Sequence, residues 1–249
     1  MMSSLDKKVI IVGATSGIGK ELAKHYVQNG WLVGITGRRK EFLQEIEKEY
    51  TDRIITESFD VRGNDNITHI KSLIEKLGGL DLLVYNSGFG DPSLTLEWEL
   101  DKITYETNVK GFIEIVHYVF NYFVQQGHGH IAATSSLASI RGNSWAPAYS
   151  ASKAFMSVYM EGLHMKAKKM ARKRKLAQTI FITDIQPGFV NTKQAKGNGQ
   201  FWVAPVEKVA GQIFKAIQNK RWRVYVTRRW WLIAQLMKWA PGWLYHRVG

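Results

Sequence analysis

Short apolar runs alternate with helical patterns along nearly the whole chain, and that alternation limits the fold more than any other feature. KKVIIVG, WLVGITG, RIITESF, DLLVYNSG, HIAATSS, TIFITDIQPG and RWRVYVT are rich in β-branched residues, and most stop at glycine, proline or polar residues, as strands do. Between them, apolar residues recur at helical spacing over Lys20 to Gln28, KEFLQEIEKEY, NITHIKSLIEKLG, Leu100 to Gln126, Ala146 to Lys169 and VEKVAGQIFKAIQ. Strands joined by helical crossovers build a parallel sheet covered on both faces. The expected class is α/β: a single-domain, doubly wound parallel sheet of about seven strands over residues 1–227, with a C-terminal amphipathic tail over 228–249.

With 249 residues and 45% hydrophobic residues, one domain of this kind can bury a sizeable core. The chain has no cysteine, which excludes disulfides, a thiolate metal site and a cysteine nucleophile, and no metal is expected. MMSSLDKKVIIVG runs directly into the first strand, with no signal-peptide pattern, so the default expectation is a cytoplasmic protein.

The first strand leads into VGATSGIGK, where Gly13, Gly17 and Gly19 allow a tight turn into a helix. A phosphate could approach bare amides there, at the positive end of the helix, in the manner of a Rossmann-type fold. The spacing is not G-x-G-x-x-G, so the turn alone is a weak signal, and a tight turn without ligand is the other reading. The second strand ends in TGRRK, with Arg38 and Arg39 and no acid before Glu41. An acidic side chain at that place holds a ribose 2′-hydroxyl and arginine a 2′-phosphate, so the site is expected to select NADP(H) over NAD(H).

In SWAPAYSASKAF, Tyr149 and Lys153 stand four residues apart, one turn on one helix face. That pairing suits a proton donor whose pKa, about 10 when unperturbed, is pulled down by the cation. A solvated helix face is the alternative.

Taken together, these motifs resemble the short-chain dehydrogenase/reductase family from about Lys8 to Thr227. VGATSGIG is similar to the family's T-G-x-x-x-G-x-G, with Val12 where threonine is usual. FDV, with Asp60 and Val61, resembles the adenine contact, and YNSG resembles N-N-A-G, keeping Asn86 and Gly88 but departing at Tyr85 and Ser87. Asn108, Ser136, Tyr149 and Lys153 match the family's catalytic set, and PGFVNT matches the segment that meets the nicotinamide carboxamide. The resemblance implies NADP(H) contacts at Gly13, Thr15, Ser16, Gly17, Ile18, Gly19, Arg38, Arg39, Asp60, Val61, Asn86 and Gly88, and at Tyr149, Lys153, Pro187, Gly188, Val190 and Thr192. It also implies Tyr149 as general acid/base, Ser136 on the carbonyl oxygen, Lys153 on the phenolate and the nicotinamide ribose, and Asn108 holding a water.

Phe89, Leu137, Trp145, Phe189, Phe201 and Trp202 are candidate pocket residues, and their character suits a lipophilic carbonyl or alcohol. NTKQAKGNGQF reads as a lid over that cleft. The rival readings are a non-catalytic NADP(H) sensor or docking module, and an oxidising hydroxysteroid-like dehydrogenase.

The net charge is +13, and after Glu207 the chain carries only basic charges. The tail RRWWLIAQLMKWAPGWLYHRVG sets four tryptophans among cations, with Arg228, Gln235 and Lys238 as a polar stripe. Its apolar run is too short to span a bilayer. It suits peripheral contact with an anionic membrane, or a helix packed on its own domain or on a dimer partner. KAKKMARKRK, from Lys166 to Lys175, reads as a solvated helix end, which leaves nucleic acid an unfavoured partner. A homodimer or homotetramer through the two long helices is implied by the resemblance.

Overall fold

The computed structural model describes residues 6–50, 52–93, 95–173, 179–192 and 201–247. Its strands are β1 (Lys8–Val12), β2 (Leu32–Gly37), β3 (Ile54–Ser58), β4 (Leu82–Tyr85), β5 (Gly129–Thr134), β6 (Ile180–Pro187) and β7 (Arg223–Val226). They form one parallel sheet in the order β3-β2-β1-β4-β5-β6-β7. The helices are α1 (Gly17–Gln28), α2 (Lys40–Glu49), α3 (Asn66–Leu77), α4 (Trp98–Tyr105), α5 (Gly111–Gln126), α6 (Pro147–Arg172), α7 (Val206–Gln218), α8 (Trp230–Trp239) and α9 (Gly242–Tyr245).

Side chains alternate across each strand, and this divides the core into two layers. Ile10 and Val12 of β1 join Leu73, Phe112 and Met156, contributed by α3, α5 and α6. Val9 and Ile11 face the other way, onto Leu22, Leu43 and Ile213 of α1, α2 and α7. The strand order reverses between β1 and β4, and in such sheets the crevice for a ligand opens at the carboxyl ends on either side of that reversal.

Sequence and structure differ at two helices. The single helix expected over Leu100 to Gln126 starts at Trp98 and is broken by a π-helical turn, Glu106–Lys110. The Tyr85 hydroxyl donates to the Thr107 carbonyl at 2.7 Å and the Asn108 side chain is clamped to the Phe89 backbone, so side chains from outside the helix hold the widened turn. In the tail, Arg228 precedes α8, which leaves Gln235 and Lys238 as the only helical members of the expected polar stripe. Helix α6 begins with Pro147 in its first turn, a position that needs no amide donor, and runs to Arg172. Most of the expected lid, residues 193–200, and the end of the basic run at 174–175 lie outside the described residues.

Candidate active site

The turn after β1 depends on glycine at points where a side chain has no room. Gly13 has φ +88°, and a Cβ there would stand 2.7 Å from the Ser87 backbone nitrogen. A Cβ on Gly19 would strike the Gly13 carbonyl oxygen. The Asn86 amide is a strut beneath this turn: it donates to the Gly13 carbonyl at 3.1 Å and accepts from the Thr134 hydroxyl at 3.0 Å. Gly17 opens α1 and lies within 3.3 Å, measured from its ideal Cβ, of the Thr192 methyl, so the turn and the segment after β6 meet. Ile18 packs on the adjoining core layer.

Helix α1 has no acid in its first turn, and the Arg39 guanidinium lies at its N-terminus, donating to Thr15 Oγ1 at 2.5 Å and Ser16 Oγ at 3.0 Å. A cation there opposes the helix dipole, whereas an anion beside it would satisfy both. Arg38 is more exposed, with Nη1 3.8 Å from Asp60 Oδ2. Arg62, which the sequence reading passed over, holds Asp60 through Nε and Nη2 at 2.7–3.1 Å. Burial raises the Asp60 pKa, but the Arg62 hydrogen bonds and charge outweigh it and keep the carboxyl below its usual range. Val61 is buried beside Gly111, where a Cβ would strike the Val61 carbonyl oxygen.

Tyr149, Lys153, Ser136 and Asn108 gather at the carboxyl ends of β4 and β5. Ser136 follows β5 and caps a short 3₁₀ turn, Leu137–Ser139, its hydroxyl accepting from the Ala138 amide at 3.1 Å. Tyr149 and Lys153 project from the first two turns of α6, with Lys153 Nζ 5.8 Å from the centre of the phenol ring. Lys153 is buried and donates to the Thr134 carbonyl at 2.8 Å, while an ideal Cβ on Gly88 would stand 3.1 Å from its Nζ. Both amide donors of Asn108 are taken, by the Phe89 carbonyl at 2.7 Å and Ser152 Oγ at 2.9 Å, and its Oδ1 accepts from the Phe89 amide at 2.9 Å.

The electrostatics depart from the expected lowering of the tyrosine. Burial pushes the Tyr149 phenol up, with only partial relief from a hydrogen bond to the Ser136 side chain. Burial also pushes Lys153 down to about 7, against the charge of Asp184, which raises it. Desolvation disfavours the charged form of each group, and it outweighs the Ser136 hydrogen bond at Tyr149 and the Asp184 charge at Lys153.

On the far side of the site, Pro187 ends β6 and Gly188 follows it, with the Gly188 amide donating to the Val226 carbonyl at 2.7 Å. Val190 is buried and bridges to Ala204. Trp230 of α8 lies flat on Gly188, where any Cβ would strike its indole, and its ring meets Phe189, Phe201 and Trp202. Helix α9 reaches the opposite rim, with the Tyr245 hydroxyl donating to the Gly142 carbonyl at 2.8 Å and its ring under Arg141.

A family model for short chain dehydrogenase matches residues 7–201, which is most of the chain. The protein belongs to the short-chain dehydrogenase family. As a member, it is an oxidoreductase by descent. An uncharacterized oxidoreductase of Myxococcus xanthus is 33% identical over 198 residues, 77% of this chain and 75% of that one. The NADP-dependent 3-hydroxy acid dehydrogenase YdfG of Shigella flexneri is 31% identical over 186 residues, 73% of this chain and 72% of its own. Among solved structures, the closed form of serine dehydrogenase complexed with NADP+ superposes with a TM-score of 0.72 at 25% identity, covering 87% of this chain and 92% of that one.

The residues of this short-chain dehydrogenase fit a dinucleotide on their own evidence. The glycine cradle admits no side chain, the N-terminus of α1 is free of acids, and two arginines stand where the second strand ends. Sequence reading missed several supporting residues. Gly90 has no room for a Cβ because the Tyr149 ring occupies that space; GFGDPS carried a hint of it as a glycine-rich loop. Asp184 is fully buried and accepts from Ser135 at 2.5 Å, Ser157 at 2.7 Å, Gln186 at 2.8 Å and Arg223 at 3.0 Å. No spacing in the sequence points to that cluster.

Proposed function

We propose that this protein is an NADP(H)-dependent reductase of lipophilic carbonyl compounds, with Tyr149 as the proton donor. The observation that carries the reading is the convergence of Tyr149, Ser136 and Lys153 beside the glycine turn. A bound nicotinamide supplies the hydride that adds to the carbonyl carbon.

The protein's own residues handle the proton and the charge. Burial keeps Tyr149 protonated, which makes it a loaded donor at neutral pH. As the substrate oxygen takes that proton, Lys153 in its charged form stabilises the phenolate left behind. Ser136 offers its hydroxyl to the same oxygen, a fixed dipole where negative charge develops. We also assign Asn108 a positioning role: it holds the Phe89 backbone and Ser152 around the site.

Arg38 and Arg39 support NADP(H) over NAD(H), since they offer cations to a 2′-phosphate where an acid would be needed for the free hydroxyl. The NADP-dependent relative YdfG agrees with that preference. We assign the further cofactor contacts to Thr15, Ser16, Asp60, Asn86, Pro187, Gly188, Val190 and Thr192. The substrate reading rests on the rim, where Trp145, Phe189, Phe201 and Trp202 are exposed.

Oligomerisation through α5 and α6 is part of the proposal, because α6 exposes Val158 and Met165 on its outer face. A monomer by light scattering would remove that part.

The test is cofactor oxidation with NADPH or NADH against long-chain and steroidal carbonyls, small ketones and 3-oxo acids. The expected result is consumption of NADPH with apolar carbonyls. Consumption with 3-oxo acids alone would overturn the substrate class, and binding of NADPH without turnover of any carbonyl would favour a sensor.

A further inference from the structure

We infer that the outward face of the C-terminal tail is a docking surface for an anionic lipid bilayer. Helix α8 is apolar on both sides. Its inner side places Trp230, Ile233 and Ala234 in a cluster with Leu137 and Ile140, against the active-site domain. Its outer side presents Trp231, Leu232, Leu236 and Trp239 to solvent, and Trp239 is 83% exposed. Trp243 and Leu244 of α9 continue that face. Beside the narrow stripe of Gln235 and Lys238, an apolar helix face of this width is ordinarily covered, and the outer part of this one is not.

The charge around the face selects what covers it. Arg228, Arg229, Lys238 and Arg247 are exposed at its edges, and no acidic residue occurs anywhere after Glu207. The same face of a second copy would bring cations against cations, which makes a symmetric seam unfavourable. An anionic headgroup layer meets the same cations with opposite charge. Tryptophan among arginine and lysine on short helices is the composition that settles at headgroup depth. Insertion across the bilayer is a different matter: among the described residues, no helix is long and apolar enough for it.

The tail is held firmly enough to present this face. Arg141 Nη2 donates to the Ala240 carbonyl at 3.1 Å between α8 and α9, and Tyr245 is anchored to Gly142. Arg229 stacks over Trp202, which joins the face to the rim of the active site. Docking would therefore turn that rim toward the bilayer. The inference does not depend on the reaction, and its test is read without turnover.

The experiment is co-sedimentation of the full-length protein with phosphatidylcholine vesicles, with and without phosphatidylglycerol. Controls are Trp239→Ser with Leu236→Ser, and Arg228→Gln with Lys238→Gln, each first shown to melt like wild type. The expected result is binding to the anionic vesicles at least about tenfold stronger than to neutral ones, a ratio that corresponds to about 1.4 kcal/mol. That binding should weaken with salt and fall in both double variants. Equal binding to both vesicle types, no binding, or binding unchanged in the variants would overturn it. Self-association of the wild type that disappears in Trp239→Ser with Leu236→Ser would also overturn it, by showing a protein seam.

Discussion

Arg38 and Arg39, adjacent in sequence, have different surroundings. Arg39 reaches across to Thr15 and Ser16 and stacks on Phe42, whereas Arg38 makes a long contact to Asp60 at 3.8 Å. Arg38 is the freer of the two to meet a 2′-phosphate. A hydrogen bond to a charged group contributes about 1.5–3 kcal/mol, so Arg38→Asp should weaken NADPH binding by about 10–100-fold and leave NADH unchanged or improved. Titration of both cofactors into wild type and variant checks this; an equal loss for both would show that Arg38 does not read the phosphate. The identities of Arg38, Tyr149 and Lys153 were legible in the sequence because Arg38 directly follows β2 and the other two stand one turn apart on α6. The protonation of the pair was not, since it depends on enclosure by Gly88, Gly90 and Thr134, which no spacing reports.

At the scale of elements, β-branched runs and glycine turns located all seven strands to within a few residues, because the buried parallel sheet requires apolar residues on both faces. The break between α4 and α5 was not legible. Its causes are a tyrosine hydroxyl from β4 and a backbone clamp at Phe89, both distant in sequence, and the helical periodicity continues across it. The departure of Tyr85 from the family pattern has its explanation here, as the donor to Thr107. The tail shows the same limit: its amphipathic character was evident, but that Trp230 would pack on Gly188 followed only from the fold.

For the whole molecule, acid stability offers a test of how the sheet is packed. His130 on β5 is buried against Thr183 at 2.8 Å, and burial, assisted by the charge of Lys220, lowers its pKa to about 3. An unfolded histidine titrates near 6.5, so between about 6.5 and 3 the unfolded chain binds the extra proton. The stability that neutral His130 contributes is present above about 6.5 and is lost as pH falls toward 3. Urea unfolding should show stability about 2 kcal/mol lower at pH 5 than at neutrality from this group, and His130→Gln should remove most of that difference. An unchanged pH slope in the variant would place the loss elsewhere.

The proposed chemistry turns on one phenol, so the most direct measurement compares wild type with Tyr149→Phe in a single preparation. NADPH binding is followed by fluorescence, and turnover by NADPH oxidation with the best carbonyl substrate found. A positioned proton donor contributes about 10²–10⁴-fold to rate. The predicted result is NADPH affinity within about twofold of wild type with turnover reduced by at least about a hundredfold. Turnover retained in Tyr149→Phe would contradict the assignment of the proton donor, and with it the mechanism.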